Sequence, residues 1–341
     1  MTSTIKVLAD LRFARDTGLG KVQQALLDRR PPWAEVVDLQ VPGRYGHPLS
    51  PARIASSLRK VQSASPAIFW SCGFVPPLYS SVPVAVTVHD LTHLKYYDAA
   101  RRAYFKGVLK PLYRRCDAIV CVSEYTRGEL LAWSGVPAER VHVVYNGIDP
   151  SYAANRESAS LGYRYVFYVG NHRSYKNLAR LIRAYGHSKL REENVHLVLT
   201  GHREPDLGEV IGELGLGEYV HFIGHVAESE LPKVYRGAVA LAYVSLCEGF
   251  GLPILEAMAS DTPVITSNVS SMPEVAAEAA LIVDPFSVEA ITGALDQVVL
   301  DQALREELVR RGRERVNVFQ WDASARTFWD LMRAMTLPQK I

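Results

Sequence analysis

Short runs of apolar residues alternate, along nearly the whole chain, with stretches in which apolar positions recur every three or four residues. That alternation is the sequence form of parallel sheets wound with helices. It predicts strands at 5–9, 36–39, 67–70, 84–88, 118–122 and 141–144 in the first half, and at 165–169, 196–200, 220–223, 239–243, 263–266 and 280–283 in the second. The runs are continuous rather than alternating, as expected of strands covered on both faces. Two similar sheets therefore follow one another, parted by a polar run with Gly and Pro over 146–162. The pattern predicts an α/β protein with two Rossmann-like doubly wound domains facing a central cleft, at 1–155 and 160–318. An amphipathic, aromatic-rich segment over 319–341 is expected to pack back on the first domain.

The 341 residues exceed the size at which one core usually stops growing, which agrees with two domains. Four cysteines, Cys72, Cys116, Cys121 and Cys247, have no C-x-x-C spacing, so neither structural zinc nor a disulfide framework is expected. No stretch of about 18 apolar residues occurs, and the polar start Met1-Thr-Ser-Thr4 lacks the form of a signal peptide. A cytoplasmic protein is expected. The net charge of +2 conceals an asymmetry: residues 1–155 carry 19 Lys/Arg against 12 Asp/Glu, and 156–341 carry 19 against 24. The basic first half suits an anionic partner such as a lipid-linked acceptor or the inner face of the plasma membrane, and equally suits attraction between the domains. No nucleic-acid partner is expected.

The most informative segment is Glu248-Gly-Phe-Gly-Leu-Pro-Ile-Leu-Glu256, which sets two carboxylates eight residues apart around a glycine loop that runs into a helix. Gly249 and Gly251 permit a tight turn and close approach to a ligand; Phe250 and Leu252 share the loop, and Pro253 fits a first helical turn. The helix start directs N–H groups and partial positive charge at whatever lies before it, which suits a phosphate. An ordinary turn into a helix, with Glu256 favoured by the dipole alone, is the plain alternative. Its place after an apolar strand favours a ligand, since open α/β sheets bind ligands at the C-terminal ends of their strands.

Arg173 and Lys176 stand at another expected strand-to-helix turn, Gly170 to Asn177, where they could neutralise a diphosphate; isolated basic loop residues are more often simply solvated. Gly201 ends the next strand, where backbone could approach a nucleotide closely. Ser267 to Val275 reads as a helix start with Ser271 as N-cap, Pro273 in the first turn and Glu274 following. In the first half, His89 and Asp90 end a strand, and His89 could orient or polarise an acceptor hydroxyl or serve as a structural group. Gly18-Leu-Gly20 is expected in the loop after the first strand, but Gln23 takes the place of the third glycine of a dinucleotide fingerprint, so NAD binding is disfavoured. Residues 101–115 combine six basic residues with five large apolar ones, either a helix lying on anionic lipid or a core helix with a solvated basic face. No D-x-D element offers a divalent metal to a diphosphate, so no metal or other cofactor is expected and protein groups must neutralise the charge.

Together these segments resemble glycosyltransferase family 4, a group of retaining enzymes with the GT-B fold, over nearly the whole chain. Ser245 to Ala259 is similar to the family's E-x7-E motif, Ser267 to Val275 to its S-S-x-P-E-V element, and Val141 to Asp149 to its interdomain N-G-I/V-D segment. His89-Asp90 and Gly18-Leu-Gly20 match family positions facing the acceptor and the transferred sugar. Many members carry an arginine directly after the glycine matching Gly170; here Asn171 stands there, and Arg173 is the substitute on offer. The resemblance implies that Glu256 binds the nucleotide ribose, that Glu248 contacts hydroxyls of the donor sugar, and that Lys176 with Arg173 stabilises the leaving diphosphate. It implies transfer of a hexose, with retention, from a nucleotide diphosphate sugar to a saccharide or polyprenyl-linked acceptor. Similarity to the bacterial mannosyltransferase-like branch, carried by Thr87-Val-His-Asp-Leu91 and Val169-Gly-Asn-His-Arg-Ser-Tyr-Lys-Asn177, points to GDP-mannose and cell-surface polysaccharide or O-antigen synthesis. Rhamnosyl, glucosyl and fucosyl donors, a nucleotide-sugar 2-epimerase and a non-catalytic nucleotide-sugar sensor are the alternatives.

Overall fold

The computed structural model describes residues 4–14, 17–61 and 66–336. Most of the polar start and the last five residues of the final segment lie outside the described residues. The chain forms two compact units, residues 1–147 with 320–341, and residues 148–319.

Unit 1 contains β1 (Ile5–Asp10), α1 (Gly18–Asp28), β2 (Ala34–Asp38), α2 (Ser50–Lys60), β3 (Ala67–Ser71), β4 (Val84–Val88), α3 (Thr92–Tyr96), α4 (Ala99–Tyr104), α5 (Lys110–Tyr113), β5 (Ala118–Cys121), α6 (Glu124–Ser134) and β6 (Val141–Val143). Its parallel sheet has the order β2-β1-β3-β4-β5-β6. All of β4 and β5 is buried, as the continuous apolar runs require. Local grammar sets the helix ends. In α6 the Ser123 hydroxyl accepts from Thr126 N, and Gly135, at φ 67°, closes the far end in the left-handed region.

Unit 2 contains α7 (Pro150–Ala154), β7 (Arg164–Tyr168), α8 (Leu178–His187), β8 (Val195–Leu199), α9 (Pro205–Glu213), β9 (Val220–Phe222), α10 (Leu231–Gly237), β10 (Ala240–Tyr243), α11 (Leu252–Ala259), β11 (Val264–Ser267), α12 (Met272–Ala276), β12 (Leu281–Val283), α13 (Val288–Leu300) and α14 (Gln302–Val316). Its sheet, also parallel, runs β12-β11-β10-β7-β8-β9. The strand order reverses between β7 and β10, and that switch point is where an open α/β sheet forms its ligand crevice. Residues 148–155, read from sequence as part of the first domain, group with unit 2. Ile148 N donates to Phe319 O at 3.0 Å, and the Tyr152 ring of α7 stands edge-on to Tyr235 of α10.

The final helix, α15 (Trp321–Ala334), belongs to unit 1. Trp321, Ala325, Phe328, Trp329 and Met332 recur at helical spacing and are buried in one cluster with Trp70 and Val22. Gly147 lets the chain pass against this helix, because a Cβ there would meet Trp321 N at 2.3 Å.

Two local expectations are refined. The basic stretch 101–115 stays helical through Tyr113 but carries a π turn over Phe105–Leu109 between α4 and α5. Pro111 lacks the N–H that an α-helix would need there, and the widened turn accommodates the loss. Phe105, Leu109, Leu112 and Tyr113 enter the core while Arg101, Arg102, Lys106, Arg114 and Arg115 are exposed, the packing of a core helix with a solvated basic face. Gly18 and Gly20 do not lie in a loop but form the first turn of α1, where Thr17 caps the helix and accepts from Gly20 N at 3.0 Å.

Beside this core, His93 of α3 is buried and stacks on Phe105 with centroids 3.4 Å apart; its Nε2 has no hydrogen-bond partner among the described residues. Burial pushes its pKa down to about 4, and the Asp90 charge opposes this only in part. The folded value lies below the unfolded one near 6.5, so its contribution to stability is complete above that pH and is lost as pH falls toward 4. The loss amounts to roughly 3 kcal/mol. Urea unfolding at pH 7 and pH 4.5 should show a smaller acid destabilisation in His93→Leu than in the native chain, and equal losses would remove His93 as the cause.

Candidate active site

The loops after β7 and β10 bring together the charged candidates of unit 2, Lys176 and Glu248. After β7 the chain makes a tight turn over Ser174–Lys176 and enters α8 through Asn177, which adopts φ 65°. That left-handed conformation suits asparagine better than most side chains. Asn177 Nδ2 donates to Val244 O at 3.0 Å and to Pro285 O at 2.8 Å, tying the turn to the end of β10 and to the loop after β12. Lys176 is thereby brought to β10. Its Nζ donates to Glu248 Oε1 at 2.7 Å and to the Tyr243 hydroxyl at 2.9 Å, and lies 5.0 Å from the Tyr243 ring centroid. Both partners of the ion pair are largely buried, with side chains 8% and 12% exposed. Burial, reinforced by the Glu248 charge, holds the Tyr243 phenol well above its ordinary pKa. Tyr243 is therefore a neutral oxygen acceptor for the lysine.

The glutamate loop is held from the loop after β11. Glu248 N donates to Ser270 Oγ at 3.1 Å, and Ser271 Oγ donates to Glu248 O at 3.0 Å and Phe250 O at 2.9 Å. Ser271 occupies the N-cap position of α12 but its hydroxyl makes no cap bond, which corrects the expected cap: two carbonyls of the neighbouring loop are its partners. Gly251, at φ 102°, turns the loop into α11, with Leu252 and Pro253 in its first turn. The Phe250 ring is buried against Phe319 at 5.5 Å, so Phe250 faces the loop through its backbone. Gly249 is buried beside it.

Glu256 lies one turn into α11, buried, where its Oε2 accepts from the Tyr235 hydroxyl at 2.7 Å. Arg173 is exposed at the start of the Ser174–Lys176 turn, its N donating to Asn171 Oδ1 at 3.2 Å. Gly201 N donates to Gly224 O at 2.8 Å, and a Cβ at Gly201 would meet His172 Nε2 at 2.9 Å. The Gly201 amide is thus engaged by Gly224, and its missing Cβ makes room for the His172 ring.

In unit 1, His89 Nε2 donates to Cys72 O at 2.8 Å, which leaves the lone pair of the neutral imidazole on Nδ1. Burial lowers its pKa and favours that neutral form. Asp90 Oδ1 accepts from Thr92 N and Oγ1, so its role is to start α3. Nearby at the end of β1, fully buried Asp10 receives two bonds of 2.7 Å from Arg12, a pair that sequence reasoning missed. All four cysteines are buried thiols. Among the described residues no cluster of three His, Cys, Asp or Glu is arranged to hold a metal ion, and no helix is long and apolar enough to cross a membrane. A cavity of about 470 Å³, lined by Arg164, Asp261, Arg305 and Arg313, opens at the opposite, N-terminal ends of the unit 2 strands, away from this chemistry.

Two doubly wound units, each built on a six-stranded parallel sheet, are the architecture of the GT-B class of fold. A solved sucrose-phosphate synthase from Thermosynechococcus elongatus superposes with a TM-score of 0.77 at 19% identity, covering 97% of this chain and 99% of that one. The model of "Glycosyl transferases group 1" matches residues 153–315, and that of "Glycosyltransferase Family 4" matches residues 21–152. The chain belongs to glycosyltransferase family 4. It is 31% identical over 252 residues to O-antigen chain mannosyltransferase B of Escherichia coli, covering 69% of this chain and 66% of that protein. It is 30% identical over 217 residues to the O-antigen chain mannosyltransferase RfbU of Salmonella typhimurium, covering 62% and 60% respectively. The chain thus spans somewhat under two thirds of the length of these relatives.

Proposed function

We propose that the protein is a hexosyltransferase that moves mannose from GDP-mannose to a saccharide or lipid-linked saccharide acceptor, with retention, in assembly of a cell-surface polysaccharide. The observation that carries this reading is the buried Lys176–Glu248 pair seated on Tyr243 before the N-terminus of α11. Cleaving the bond from the anomeric carbon to the phosphate oxygen builds negative charge on the diphosphate and positive charge on the sugar ring. A fixed ammonium and helix N–H groups stabilise the first, and an adjacent carboxylate that accepts from sugar hydroxyls orients the second. The acceptor hydroxyl attacks from the face the diphosphate leaves, and its proton passes to the departing phosphate oxygen. In this scheme Glu256 holds the nucleotide ribose, Arg173 assists Lys176, and His89 Nδ1 accepts from the acceptor hydroxyl. The mannosyl assignment draws on the two O-antigen mannosyltransferases, and the excess of basic residues over 1–155 suits an anionic, lipid-linked acceptor.

Incubation with GDP-mannose, GDP-fucose, UDP-glucose and dTDP-rhamnose, with and without polyprenyl-diphosphate-linked saccharide, tests the reading. Nucleotide release from GDP-mannose that requires the acceptor, with an α-linked product, is expected. Acceptor-independent epimerisation, or tight binding without release, would replace transfer by the epimerase or sensor reading.

A further inference from the structure

We propose that Tyr235 and Tyr152 are positioning residues that hold Glu256, with Glu228 as their counterpart, ready for the vicinal hydroxyls of a nucleoside ribose. This rests on the reading of Glu256 as a nucleotide-binding residue.

A carboxylate as buried as Glu256 needs hydrogen-bond donors to remain there as an anion. Tyr235, fully buried on α10, supplies one at 2.7 Å. It is itself fixed: its carbonyl accepts from Thr262 Oγ1 at 2.7 Å, and its ring stands edge-on to Phe167 of β7 with centroids 5.3 Å apart. Tyr152, 1% exposed on α7, lies edge-on to Tyr235 at 5.8 Å and donates to Glu228 Oε1 at 3.0 Å. Burial first, and then the charges of Glu256 and Glu228, push the Tyr152 phenol up; burial and Glu256 do the same for Tyr235. Both phenols therefore stay protonated, Tyr235 donating its hydrogen bond to the buried Glu256 and Tyr152 donating its own to the exposed Glu228. Nothing in the Glu248–Glu256 motif specifies these partners, which come from α7 and α10.

A cis-diol offers two O–H donors to one carboxylate, and recognising both requires that the carboxylate plane be set in advance. Glutamate is a flexible side chain, and freezing its rotors on binding opposes affinity. A phenol bonded to one carboxylate oxygen sets that rotation before the nucleotide arrives. The consequence is specific: losing the phenol weakens recognition of the ribose hydroxyls and leaves recognition of base and diphosphate alone.

The test compares calorimetric Kd values for GDP and UDP with those of their 2′,3′-dideoxy counterparts, in the full chain and in Tyr235→Phe, Tyr152→Phe, Glu228→Gln and Glu256→Gln. The native chain should prefer the ribose form of the tighter-binding nucleotide by about tenfold or more, the scale of a hydrogen bond to a charged group. In Tyr235→Phe that preference should shrink to two- or threefold, with dideoxy binding unchanged; Tyr152→Phe should do the same to a smaller degree. Donor KM should rise in both variants while kcat stays within twofold. Tyrosine variants that weaken both nucleotide forms equally, or neither, overturn the proposal if Glu256→Gln abolishes the preference. A preference that survives Glu256→Gln instead removes Glu256 from the nucleotide site and sinks the reading beneath it. Should Tyr235→Phe fail to fold, Tyr152→Phe and Glu228→Gln decide the outcome by the same ratio.

Discussion

Replacing Lys176 with alanine is expected to lower kcat by about 10²–10³-fold, the usual effect of removing one preorganised donor from a developing anion. The ammonium is fixed by Glu248 at 2.7 Å and Tyr243 at 2.9 Å, so little reorganisation is needed as charge moves to the leaving diphosphate. The substitution also leaves a largely buried Glu248 without its cation. Breaking such a pair from one side costs about 3–5 kcal/mol at buried positions. A fall in activity could then reflect a disturbed loop instead of lost catalysis, and a second variant separates the two. Lys176→Met combined with Glu248→Gln removes both charges, so thermal unfolding should return toward the native midpoint while transfer stays at or below the level of the single variant. Stopped assays of sugar transfer, run beside nucleotide titrations, make the comparison. Turnover within threefold of native in Lys176→Ala would strike the lysine from the mechanism.

The strands were legible because buried parallel strands are written in single local runs. All twelve expected strands appear within two residues of the predicted start, from β1 at Ile5–Asp10 to β12 at Leu281–Val283. The loops were legible for a related reason: Gly251 must adopt φ 102° and Pro253 must lie in a first helical turn, so sequence marks the place where β10 gives way to α11. What holds those loops was not legible. Lys176 and Glu248 are 72 residues apart and meet because β10 lies beside β7, a pairing that no local pattern dictates. Ser271 has every local attribute of a cap, yet its hydroxyl lies within reach of two carbonyls of another loop and bonds those. Tyr235 reads as one more apolar helix residue, and its partner Glu256 only identifies it once α10 and α11 are side by side. At Gly18-Leu-Gly20 the glycines suggested a loop, whereas Thr17 was the informative residue: a hydroxyl three positions before an amide is the ordinary grammar of a helix start.

Trp329→Ala should destabilise unit 1 by about 3–5 kcal/mol, the range for truncating a large buried aromatic side chain. Trp329 stands at the centre of the contact between α15 and the rest of unit 1. Its ring lies 6.1 Å from Trp33 and 6.2 Å from Trp70, and its Nε1 donates to Leu26 O at 3.0 Å. Alanine at this position opens a cavity and leaves that carbonyl of α1 without its donor, so loss of packing and loss of a buried hydrogen bond act together. Because α15 follows unit 2 in the chain yet completes the core of unit 1, the effect should fall on one unit alone. Urea unfolding followed by tryptophan fluorescence should shift to lower denaturant, since Trp33, Trp70 and Trp321 report from the same cluster. The affinity of a nucleoside diphosphate, assigned to Lys176, Glu248 and Glu256 in unit 2, should stay within twofold of native under conditions where the variant remains folded. A parallel loss of nucleotide affinity in the folded variant would mean that the donor site depends on the α15 core, and the separation of roles between the units would have to be abandoned.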